Sequence, residues 1–267
     1  ANTVAEDATI GTAVGITGFA SDADATTNTI SYTLDDNASG KFAINSVTGV
    51  VTVAGTLDYE TATSHIITVR ATSADGSFST QAFTINVTDV NEFAVTAPND
   101  TNPAVNQVNE NAANGTTVGI TASASDADAT NNGITYSLFN NDGGRFAINA
   151  ATGVVTVAGA INRETDGPVR SVTVRATSAD GSTNDTVFNI NVIDVNEFAV
   201  TTPIDANPAV NQVNENAAIG TAVGITASAN DADATNNGVT YSLFNNDGGR
   251  FAINSTTGVV TVAGAIN

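Results

Sequence analysis

The chain has 267 residues, of which 27 are acidic and 7 are basic, giving a formal net charge of -20. This balance argues against binding to nucleic-acid phosphates or to anionic membrane surfaces, because both need clustered Lys and Arg. Cysteine is absent, and no apolar run approaches the roughly 20 residues of a membrane-spanning helix. Neither a disulfide framework nor direct membrane insertion is expected, and cations are the expected partners.

Short β-branched or alternating runs, separated by turn residues, follow one another through the first 90 residues. The predicted strands cover residues 12–20, 30–34, 42–44, 50–53, 66–71 and 82–87. Glycines such as Gly40 and Gly49 fall between or beside these runs, where turns need conformational freedom. About seven short strands per 100 residues are typical of a β-sandwich, and no segment has helical periodicity. The prediction is an all-β chain without helices.

The chain then repeats itself, since Asn91–Asn162 recurs almost word for word as Asn196–Asn267. Glu6, Glu110 and Glu215 mark the period, with spacings of 104 and 105 residues. That length suits one independently folding domain per repeat, and it is too long for a short solenoid repeat. We therefore predict three domains in an end-to-end array, with the bounds 1–92, 93–197 and 198–267.

The outer repeats are expected to be incomplete, the first lacking its opening strand and the third its last strands. The start at Ala1, without an initiator Met, is expected of a mature or excised fragment. Residues 93–109, which include Pro98 and Pro103, are predicted to form an irregular edge strand that bridges two domains.

Most of the acids belong to short motifs that recur along the chain. The motifs are Asp-Tyr-Glu at 58–60, Asp-Val-Asn-Glu at 89–92, Asn-Glu-Asn at 109–111, Asp-Ala-Asp at 126–128 and Ala-Asp-Gly at 179–181. With Tyr-Ser-Leu at 136–138 and Phe-Ala-Ile-Asn at 146–149, these motifs make the sequence resemble the cadherin repeat over nearly its whole length. The resemblance implies tandem seven-stranded Greek-key β-sandwiches, with up to three calcium ions at each boundary between repeats.

The resemblance also implies which residues hold calcium. At the first junction they are Glu6, Asp58, Glu60, Asp89, Asn91, Glu92, Asp126, Asp128 and Asp180, with Asn91 using its backbone carbonyl. At the second junction they are Glu110, Glu164, Asp194, Asn196, Glu197, Asp231 and Asp233. Half-sites remain at Asp22, Asp24 and Asp75 in repeat one and at Glu215 in repeat three. Oxygen ligands in this number suit the six- to eightfold coordination of calcium better than zinc or copper.

Three departures from the family pattern stand out. Glu92 and Phe93 replace the usual Asp and Asn of the linker, and Asn162 stands where repeat one has Asp58. The Ala-Asp-Gly partner of the third repeat falls beyond Asn267. We therefore expect fewer or weaker calcium ions at the second junction than at the first.

Other site chemistries fit the sequence less well. Counted from Asp126, an EF-hand needs Gly and Glu where this chain has Asn131 and Ser137. His65 is the only histidine, so a zinc site or a catalytic triad would depend on one unrepeated residue. A glycosidase pair such as Asp58 and Glu60 is disfavoured because catalytic sites are seldom copied at every domain boundary. We do not expect an enzyme.

The predicted function is that of calcium-rigidified extender repeats in a secreted or surface adhesin or fibre, in cell adhesion or a biofilm matrix. The near-identical, cysteine-free repeats resemble those of giant bacterial adhesins, which implies an extracellular or cell-surface location. The expected partners are neighbouring repeats, with other copies of the chain and cell-surface glycans as further candidates. The alternative is a module in which the sandwiches themselves bind homophilically or bind a polysaccharide, although Tyr32, Tyr136 and Tyr241 lie in strands predicted to be buried.

Overall fold

The computed structural model describes residues 2–267. The chain divides into two compact units, and each is described by itself. The first unit comprises the residues up to Asn99 together with Ser123–Ser137 and Arg175–Thr186. The second comprises Asp100–Ala122, Leu138–Val174 and Val187–Asn267. The division passes through the middle repeat, and the predicted boundaries after residues 92 and 197 stay a prediction.

Repeat one is a sandwich of seven strands, as predicted. The strands are β1 (Thr3–Ala5), β2 (Ala13–Thr17), β3 (Ile30–Asp36), β4 (Phe42–Ile44), β5 (Val50–Val53), β6 (Ser64–Ser73) and β7 (Phe78–Thr88). One sheet has the order β1-β7-β6-β3 and the other has the order β2-β5-β4. Strands β4 and β5 have the predicted bounds, while β6 and β7 are longer than predicted and β1 was not predicted.

The core of repeat one follows from two-residue alternation along the strands. Val14 and Ile16 of β2 and Val51 and Val53 of β5 point inward, where they pack in one cluster that also includes Phe42. Burying one such aliphatic or aromatic side chain contributes about 1.5–3 kcal/mol. The predicted burial of the tyrosines is confirmed in part, since Tyr32 is buried while Tyr136 and Tyr241 are half-buried.

A glycine explains the repeated Thr-Gly-Val motif before β5. A Cβ added at Gly49, whose φ is +69°, would lie 2.4 Å from the carbonyl oxygen of Gly18. The equivalent distances at Gly153 and Gly258 are both 2.1 Å, to the carbonyls of Ala122 and Ala227. No L-amino acid with a side chain fits there without moving backbone, so each repeat keeps a glycine at this position.

Repeat two adds a short edge strand and one turn of helix. Its elements are β8 (Asn99–Asp100), β9 (Gln107–Asn109), β10 (Thr117–Ser123), β11 (Ile134–Asn140), β12 (Phe146–Ile148), β13 (Val154–Val157), α1 (Arg163–Asp166), β14 (Val169–Ser178) and β15 (Thr183–Ile193). The sheets have the orders β12-β13-β10-β8 and β11-β14-β15-β9. Strands β8 and β9 are edge strands, in agreement with the edge character predicted for 93–109.

The prediction of no helix is wrong at α1. Its N-cap is Asn162, whose side-chain oxygen accepts a hydrogen bond from the N–H of Thr165 at 2.8 Å. Four residues are too few for a 3.6-residue apolar period to appear, so a cap of this kind is the only sequence signal. No helix among residues 2–267 is long and apolar enough to cross a membrane.

Repeat three has a single sheet, β16-β17-β19-β18, formed by β16 (Ile204–Asp205), β17 (Ala222–Ser228), β18 (Phe251–Ile253) and β19 (Val259–Val262). Residues 239–245, the counterpart of β3, form no strand. In repeat one β3 pairs with β6, and residues 198–267 contain no copy of β6. The prediction that every unit is strand throughout is therefore corrected for this repeat.

Candidate metal centre

Parallel strand pairing places a glutamate beside an aspartate in repeats one and two. Strand β1 pairs with β7 so that Ala5 lies opposite Thr88, and the next residues are Glu6 and Asp89. Strand β9 pairs with β15 so that Asn109 lies opposite Ile193, and Glu110 and Asp194 follow. Because parallel strands run in the same direction, both acids leave the sheet at the same end.

The two glutamates fix the turn and the linker through backbone hydrogen bonds. Glu6 is 7% exposed, and its carboxylate accepts the N–H of Tyr59 at 2.6 Å and of Val90 at 2.7 Å. Glu110 is 1% exposed and accepts the N–H of Arg163 at 2.6 Å and of Val195 at 2.7 Å. Each of these buried charges is therefore held by two backbone donors.

Carboxylates converge in two groups at the first junction. Glu6, Glu60 and Asp89 present oxygens within 4.8 Å of one another, and Asp126, Asp128 and Asp180 do the same. We use "first junction" for these six residues and Glu92. All of them lie in the first compact unit.

The linker buries the second aspartate of Asp-Ala-Asp. The Oδ1 atom of Asp128 accepts the N–H of Glu92 at 3.1 Å and of Phe93 at 3.3 Å, and the residue is 1% exposed. Its repeat-one counterpart Asp24 is exposed and has no such linker donors among the described residues. The site at Asp128 thus depends on the linker as well as on its own loop.

The loop after Asp128 binds the carboxylates of repeat one. The N–H of Ala129 donates to Glu60 Oε1 at 2.9 Å, and the N–H of Thr130 donates to Asp89 Oδ2 at 3.1 Å. The hydroxyl of Thr130 also contacts Asp89 Oδ2. Acids from both sides of the linker are therefore held together by hydrogen bonds of the same loop.

Among residues 2–267, none of the ion pairs includes a carboxylate of the first junction. Loss of hydration, together with Glu6, Glu60, Asp128 and Asp89, raises the pKa of Glu92 above its usual range. Loss of hydration also raises the pKa of Glu60, and Glu6 and Asp89 add to this against a hydrogen bond from Ala129. Both shifts have the sign expected where like charges crowd together.

Three carboxylate oxygens at the first junction are buried without a hydrogen-bond partner in the described part of the chain: Asp89 Oδ1, Asp126 Oδ2 and Asp128 Oδ2. A buried carboxylate oxygen without a donor is costly unless a cation supplies the missing interaction. Hard, anionic oxygens in this number are the donors that calcium prefers. The residues present therefore fit the calcium site that the sequence predicts.

The second junction copies this scaffold within the second compact unit. Its acids are Glu110, Glu164, Asp194, Glu197, Asp231 and Asp233, and we use "second junction" for this set. Glu110, Glu164 and Glu197 present oxygens within 4.8 Å of one another. Asp233 is 1% exposed and accepts the N–H of Glu197 at 3.0 Å and of Phe198 at 3.2 Å. The N–H groups of Ala234 and Thr235 donate to Glu164 and Asp194 at 3.1 and 2.9 Å.

The nitrogen donors of the second junction differ from those of the first. Asn111 and Arg163 stand where repeat one has Asp7 and Tyr59. Asn196 binds Asp233, whereas its counterpart Asn91 binds Asp180. Asn196 Nδ2 donates to Asp233 Oδ2 at 2.8 Å, and Asn111 Nδ2 donates to Glu197 Oε1 at 3.3 Å. Arg163 Nε lies 3.9 Å from Asp194 Oδ1, while its guanidinium also donates to the carbonyl of Val192. Two buried oxygens here, Glu164 Oε2 and Asp194 Oδ1, have no hydrogen-bond partner within residues 2–267.

These neighbours move the pKa values of two acids in opposite directions. The hydroxyl of Thr235 is the largest cause that lowers the pKa of Asp194, with Arg163 contributing in the same direction. Loss of hydration, Glu110 and Glu164 raise the pKa of Glu197, although the Asn111 hydrogen bond opposes them.

Several predicted ligands belong to neither of these two acidic sets, and their role in binding calcium stays a prediction. Asp58 is exposed and accepts hydrogen bonds from the N–H and the hydroxyl of Thr61, which lower its pKa. Asn162 caps α1 in the same way, so the two residues share a capping role. Asn91 is exposed, and its side chain hydrogen-bonds to Asp180. Asp22, Asp24 and Asp75 form one more group within 4.8 Å, whereas Glu215 is exposed and belongs to no such group among the described residues.

Sequence reasoning missed Arg163, Asn111 and Thr235 as parts of the second junction. The available signal was the alignment of the repeats, which places Tyr59 and Asp7 of repeat one opposite Arg163 and Asn111. His65, considered for other chemistry, lies in β6 with its ring edge against Phe42, at a centroid distance of 5.8 Å.

Comparison with known proteins decides the family. The model of the Cadherin domain matches residues 2–88 and 105–193. The chain belongs to the cadherin family. This supports the predicted resemblance to cadherin repeats and the interpretation that the chain is not an enzyme.

Cadherins of animals are among the similar proteins. The chain is 36% identical to the Protocadherin-like wing polarity protein stan of Drosophila melanogaster, in an alignment that covers 84% of the chain and 6% of that protein. It is 35% identical to mouse Protocadherin Fat 4, in an alignment that covers 99% of the chain and 5% of that protein. The chain thus spans about a twentieth of these relatives. They do not support the resemblance to bacterial adhesins in particular.

Solved cadherin structures have the same fold. Mouse Cadherin-23 EC22-24 superposes with a TM-score of 0.77 at 31% identity, covering 100% of the chain and 85% of that structure. The extracellular cadherin domains 1-5 of Protocadherin Gamma B2 superpose with a TM-score of 0.81 at 22% identity, covering 99% of the chain and 52% of that structure. The predicted fold class, tandem all-β sandwiches, is confirmed.

Proposed function

We propose that this chain is a calcium-stiffened segment of a longer extracellular adhesion protein. One observation carries the proposal. At the first junction, carboxylates from repeat one and from the loop of Asp126 and Asp128 converge with three buried oxygens that have no hydrogen-bond donor. Family membership supports it, because the named relatives include extracellular cadherin domains.

The residues that would hold calcium at the first junction are Glu6, Glu60, Asp89, Glu92, Asp126, Asp128 and Asp180. Bound calcium would supply positive charge and oxygen coordination, which removes the repulsion between these acids. The chain's own part is to hold the carboxylates in position. Backbone donors at Tyr59, Val90 and Glu92 fix the acids, so a cation bound there would also fix the linker.

We propose the same role for the second junction, with Glu110, Glu164, Asp194, Glu197, Asp231 and Asp233 as ligands and a lower affinity. Amide and guanidinium nitrogens already contact several of its oxygens. The predicted domains 1–92, 93–197 and 198–267 are retained as proposed repeat boundaries, since both junctions then fall at the linkers.

The test is small-angle scattering of the chain in calcium and in chelator, combined with a calcium titration by calorimetry. We expect calcium to lengthen and stiffen the particle, with at least two classes of site. The variant Asp128→Asn should need more calcium for the same change, while Asp247→Asn, an exposed acid outside the junctions, should behave as the parent chain. An identical scattering profile in calcium and in chelator would contradict the stiffening role.

Homophilic or glycan contact by the sandwiches themselves is the alternative function. The tyrosines do not favour a glycan platform, because the hydroxyls of Tyr32, Tyr136 and Tyr241 accept backbone N–H groups at 2.9–3.1 Å and the rings are buried or half-buried. Sedimentation in calcium would detect a homophilic complex, and a glycan array would detect sugar binding. The bacterial surface or biofilm setting rests on composition and the near identity of the repeats alone.

A further inference from the structure

Asparagine followed by glycine is the residue pair that loses side-chain ammonia most readily, because glycine has no Cβ to hinder attack by its backbone nitrogen. The sequence contains three such pairs: Asn114–Gly115, Asn132–Gly133 and Asn237–Gly238. Both residues of each pair are exposed to solvent. Exposure therefore does not distinguish the three pairs.

The hydrogen bonding of the glycine backbone does distinguish them. The N–H of Gly115 donates to the carbonyl of Val157 at 2.8 Å. Within residues 2–267, the N–H groups of Gly133 and Gly238 have no acceptor. A backbone nitrogen can attack only when it is free to lose its proton and to turn toward the side chain. Gly115 is thus protected by its hydrogen bond, and the other two glycines are not.

The two unprotected pairs lie in the loops that hold the junction carboxylates. Asn132 Nδ2 donates to the carbonyl of Asp128 at 2.7 Å, and Asn237 Nδ2 donates to that of Asp233 at 3.0 Å. Each hydrogen bond closes the loop that begins at the buried aspartate. A reaction at either asparagine would therefore act directly on a junction.

Repeat one has the same loop without the reactive pair. Asn28 Nδ2 donates to the carbonyl of Asp24 at 3.1 Å. Thr29 follows, and its branched Cβ hinders the approach of the backbone nitrogen. In this sequence, a loop-closing asparagine is followed by glycine only at the first and second junctions.

We propose that Asn132 and Asn237 are sites of spontaneous deamidation, and that calcium slows the reaction; the second part rests on the proposed calcium function. The backbone nitrogen of Gly133 attacks Cγ of Asn132 and forms a succinimide ring. The Cγ–Nδ2 bond breaks, and ammonia leaves with the proton of the Gly133 nitrogen. Solvent water then opens the ring, so asparagine and water become aspartate or isoaspartate and ammonia.

Ring closure needs a movement that a bound cation would oppose. Asn132 has to leave the carbonyl of Asp128, and the backbone has to rotate. The same loop donates two backbone N–H groups to carboxylates of repeat one. A cation bound between these carboxylates and Asp128 would hold the loop closed. In chelator, their mutual repulsion opens the loop more often.

The products would weaken the first junction. Either acid replaces the Nδ2 donor by an oxygen, which repels the carbonyl of Asp128. Isoaspartate also adds a methylene to the backbone between Asp128 and β11, so the buried aspartate is no longer held in the same place. A period without calcium would thus change the junction permanently and make calcium bind less tightly afterwards.

The first experiment incubates the intact chain in chelator at neutral pH and follows each pair by mass spectrometry of its peptides. Asn132 should react at least about tenfold faster than Asn114, because Gly115 is free only when its hydrogen bond opens. The matched control is Gly133→Ala. Its Cβ would meet only Ala179 Cβ, at 3.9 Å, on a backbone without positive φ, so this variant should fold as the parent does. It should slow the reaction at Asn132 alone.

Equal rates at Asn114 and Asn132, or an unaltered rate in Gly133→Ala, would overturn the proposal. So would an intact chain that forms no product at Asn132 while a free peptide of residues 126–137 does. In calcium, the rate at Asn132 should fall by about tenfold or more. An unchanged rate in a chain that calcium stiffens would overturn the protective role of calcium. If calcium neither stiffens the chain nor slows the reaction, the proposed calcium function fails while the deamidation sites stand.

The last measurement compares calcium binding before and after incubation in chelator. The chain converted at Asn132 should bind calcium at the first junction about three- to tenfold more weakly, as expected from the loss of one hydrogen bond. Gly133→Ala, incubated for the same time, should bind as it did when fresh. A fully converted chain that binds calcium as tightly as the fresh chain would contradict the weakening.

Discussion

The two junctions have one backbone scaffold and two different charge patterns. In both, a buried glutamate accepts two backbone N–H groups, and a buried aspartate accepts two from the linker. Around this scaffold, Asp7, Asp58 and Tyr59 of repeat one become Asn111, Asn162 and Arg163 of repeat two. Two carboxylates become amides and one neutral residue becomes a cation, so these positions are formally three charges less negative at the second junction.

The comparison shows that one set of groups fixes the positions of the carboxylates and another set determines the charge around them. Backbone N–H groups hold the acids in position, and these groups are present whichever side chains their residues carry. An amide then decides the state of one oxygen, since Asn196 donates to Asp233 Oδ2, whereas the equivalent Asp128 Oδ2 has no hydrogen-bond partner among the described residues. Cation affinity can therefore change from one repeat to the next without a change in fold.

The largest expected effect comes from removing one buried carboxylate at each junction. Asp128→Asn keeps an oxygen that can accept the N–H of Glu92 and Phe93, but it removes a charge and the partnerless oxygen. We expect calcium affinity at the first junction to fall by about tenfold or more, as the ligand charge count falls. Asp233→Asn should cost less at the second junction, because Asn196 already donates to the oxygen that is lost.

Calorimetric titration of both variants measures this contrast, and Asp247→Asn is the control for a lost surface charge. If both variants lose the same factor in calcium affinity, the amide contacts at the second junction do not cause the difference in affinity between the junctions.

An exchange of the residues at 59 and 163 should shift the two affinities toward each other. Arg163→Tyr removes the cation 3.9 Å from Asp194 but keeps the backbone N–H that holds Glu110. We expect calcium to bind the second junction about three- to tenfold more tightly, as the local positive charge is lost. Tyr59→Arg should weaken the first junction by a similar factor.

Competition of calcium with a chromophoric chelator measures both changes. Arg250→Tyr, which removes an exposed cation outside the junctions, should leave both affinities unchanged. If Arg163→Tyr binds calcium as the parent chain does, Arg163 does not contribute to the difference between the two junctions.

Acidification should separate the calcium-free and calcium-bound chains. Because the folded state raises the pKa of Glu92, it holds this proton more tightly than the unfolded state does. In chelator this residue favours folding below its unfolded pKa, and the benefit is lost as the pH rises through the raised folded value. At neutral pH in chelator, Glu92→Gln should therefore melt at a higher temperature than the parent, by a few degrees for a single surface charge.

The advantage of Glu92→Gln should disappear as the pH falls and Glu92 becomes protonated. In calcium the order should reverse at neutral pH, because the charged ligand is needed there. Thermal melts from pH 4 to 8 measure both trends, and Glu197→Gln provides the matched variant at the second junction, where the pKa is also raised. A constant difference across this pH range would contradict the assigned cause.

The smallest effect is expected for Asp58→Asn. The structure uses Asp58 as a turn cap whose carboxylate binds Thr61, and Asn caps equally well, as it does at Asn162. We expect calcium affinity to change by about threefold or less, measured in the same titration. A loss as large as that of Asp128→Asn would restore Asp58 to the ligand set predicted from the sequence and sharpen the contrast between the junctions.

The sequence predicted the fold well because the signals were local and were repeated. The short runs Phe-Ala-Ile and Val-Val-Thr-Val gave β4 and β5 their bounds, and the recurring glycines marked the turns. Strand β1 was missed because it forms by pairing with β7, about 80 residues away in the sequence, and no local pattern shows that pairing. The counterpart of β3 in repeat three, residues 239–245, has a strand-forming sequence but forms no strand. In repeat one this strand pairs with β6, which residues 198–267 do not contain.

The sequence predicted which acids lie near each junction, but it did not predict the side chains that surround them and balance their charge. Motif order located Glu6, Asp89, Asp128 and their repeats, because each follows the end of a strand or lies in a fixed turn. The roles of Asp58 and Arg163 could not be predicted, since both depend on side-chain direction within one turn. Spacing in sequence says which residues are near a junction, but not which of them face into it.

The parallel pairing of β1 with β7, and of β9 with β15, has a mechanical consequence. A pull on the N-terminal end of β1 and the C-terminal end of β7 slides two parallel strands past each other. The hydrogen bonds of the paired residues Thr3–Ala5 are then loaded together, in shear, and do not open one after another. Because forced unfolding is limited by the rate of crossing such a barrier, each paired repeat should bear tension along the chain before it unravels.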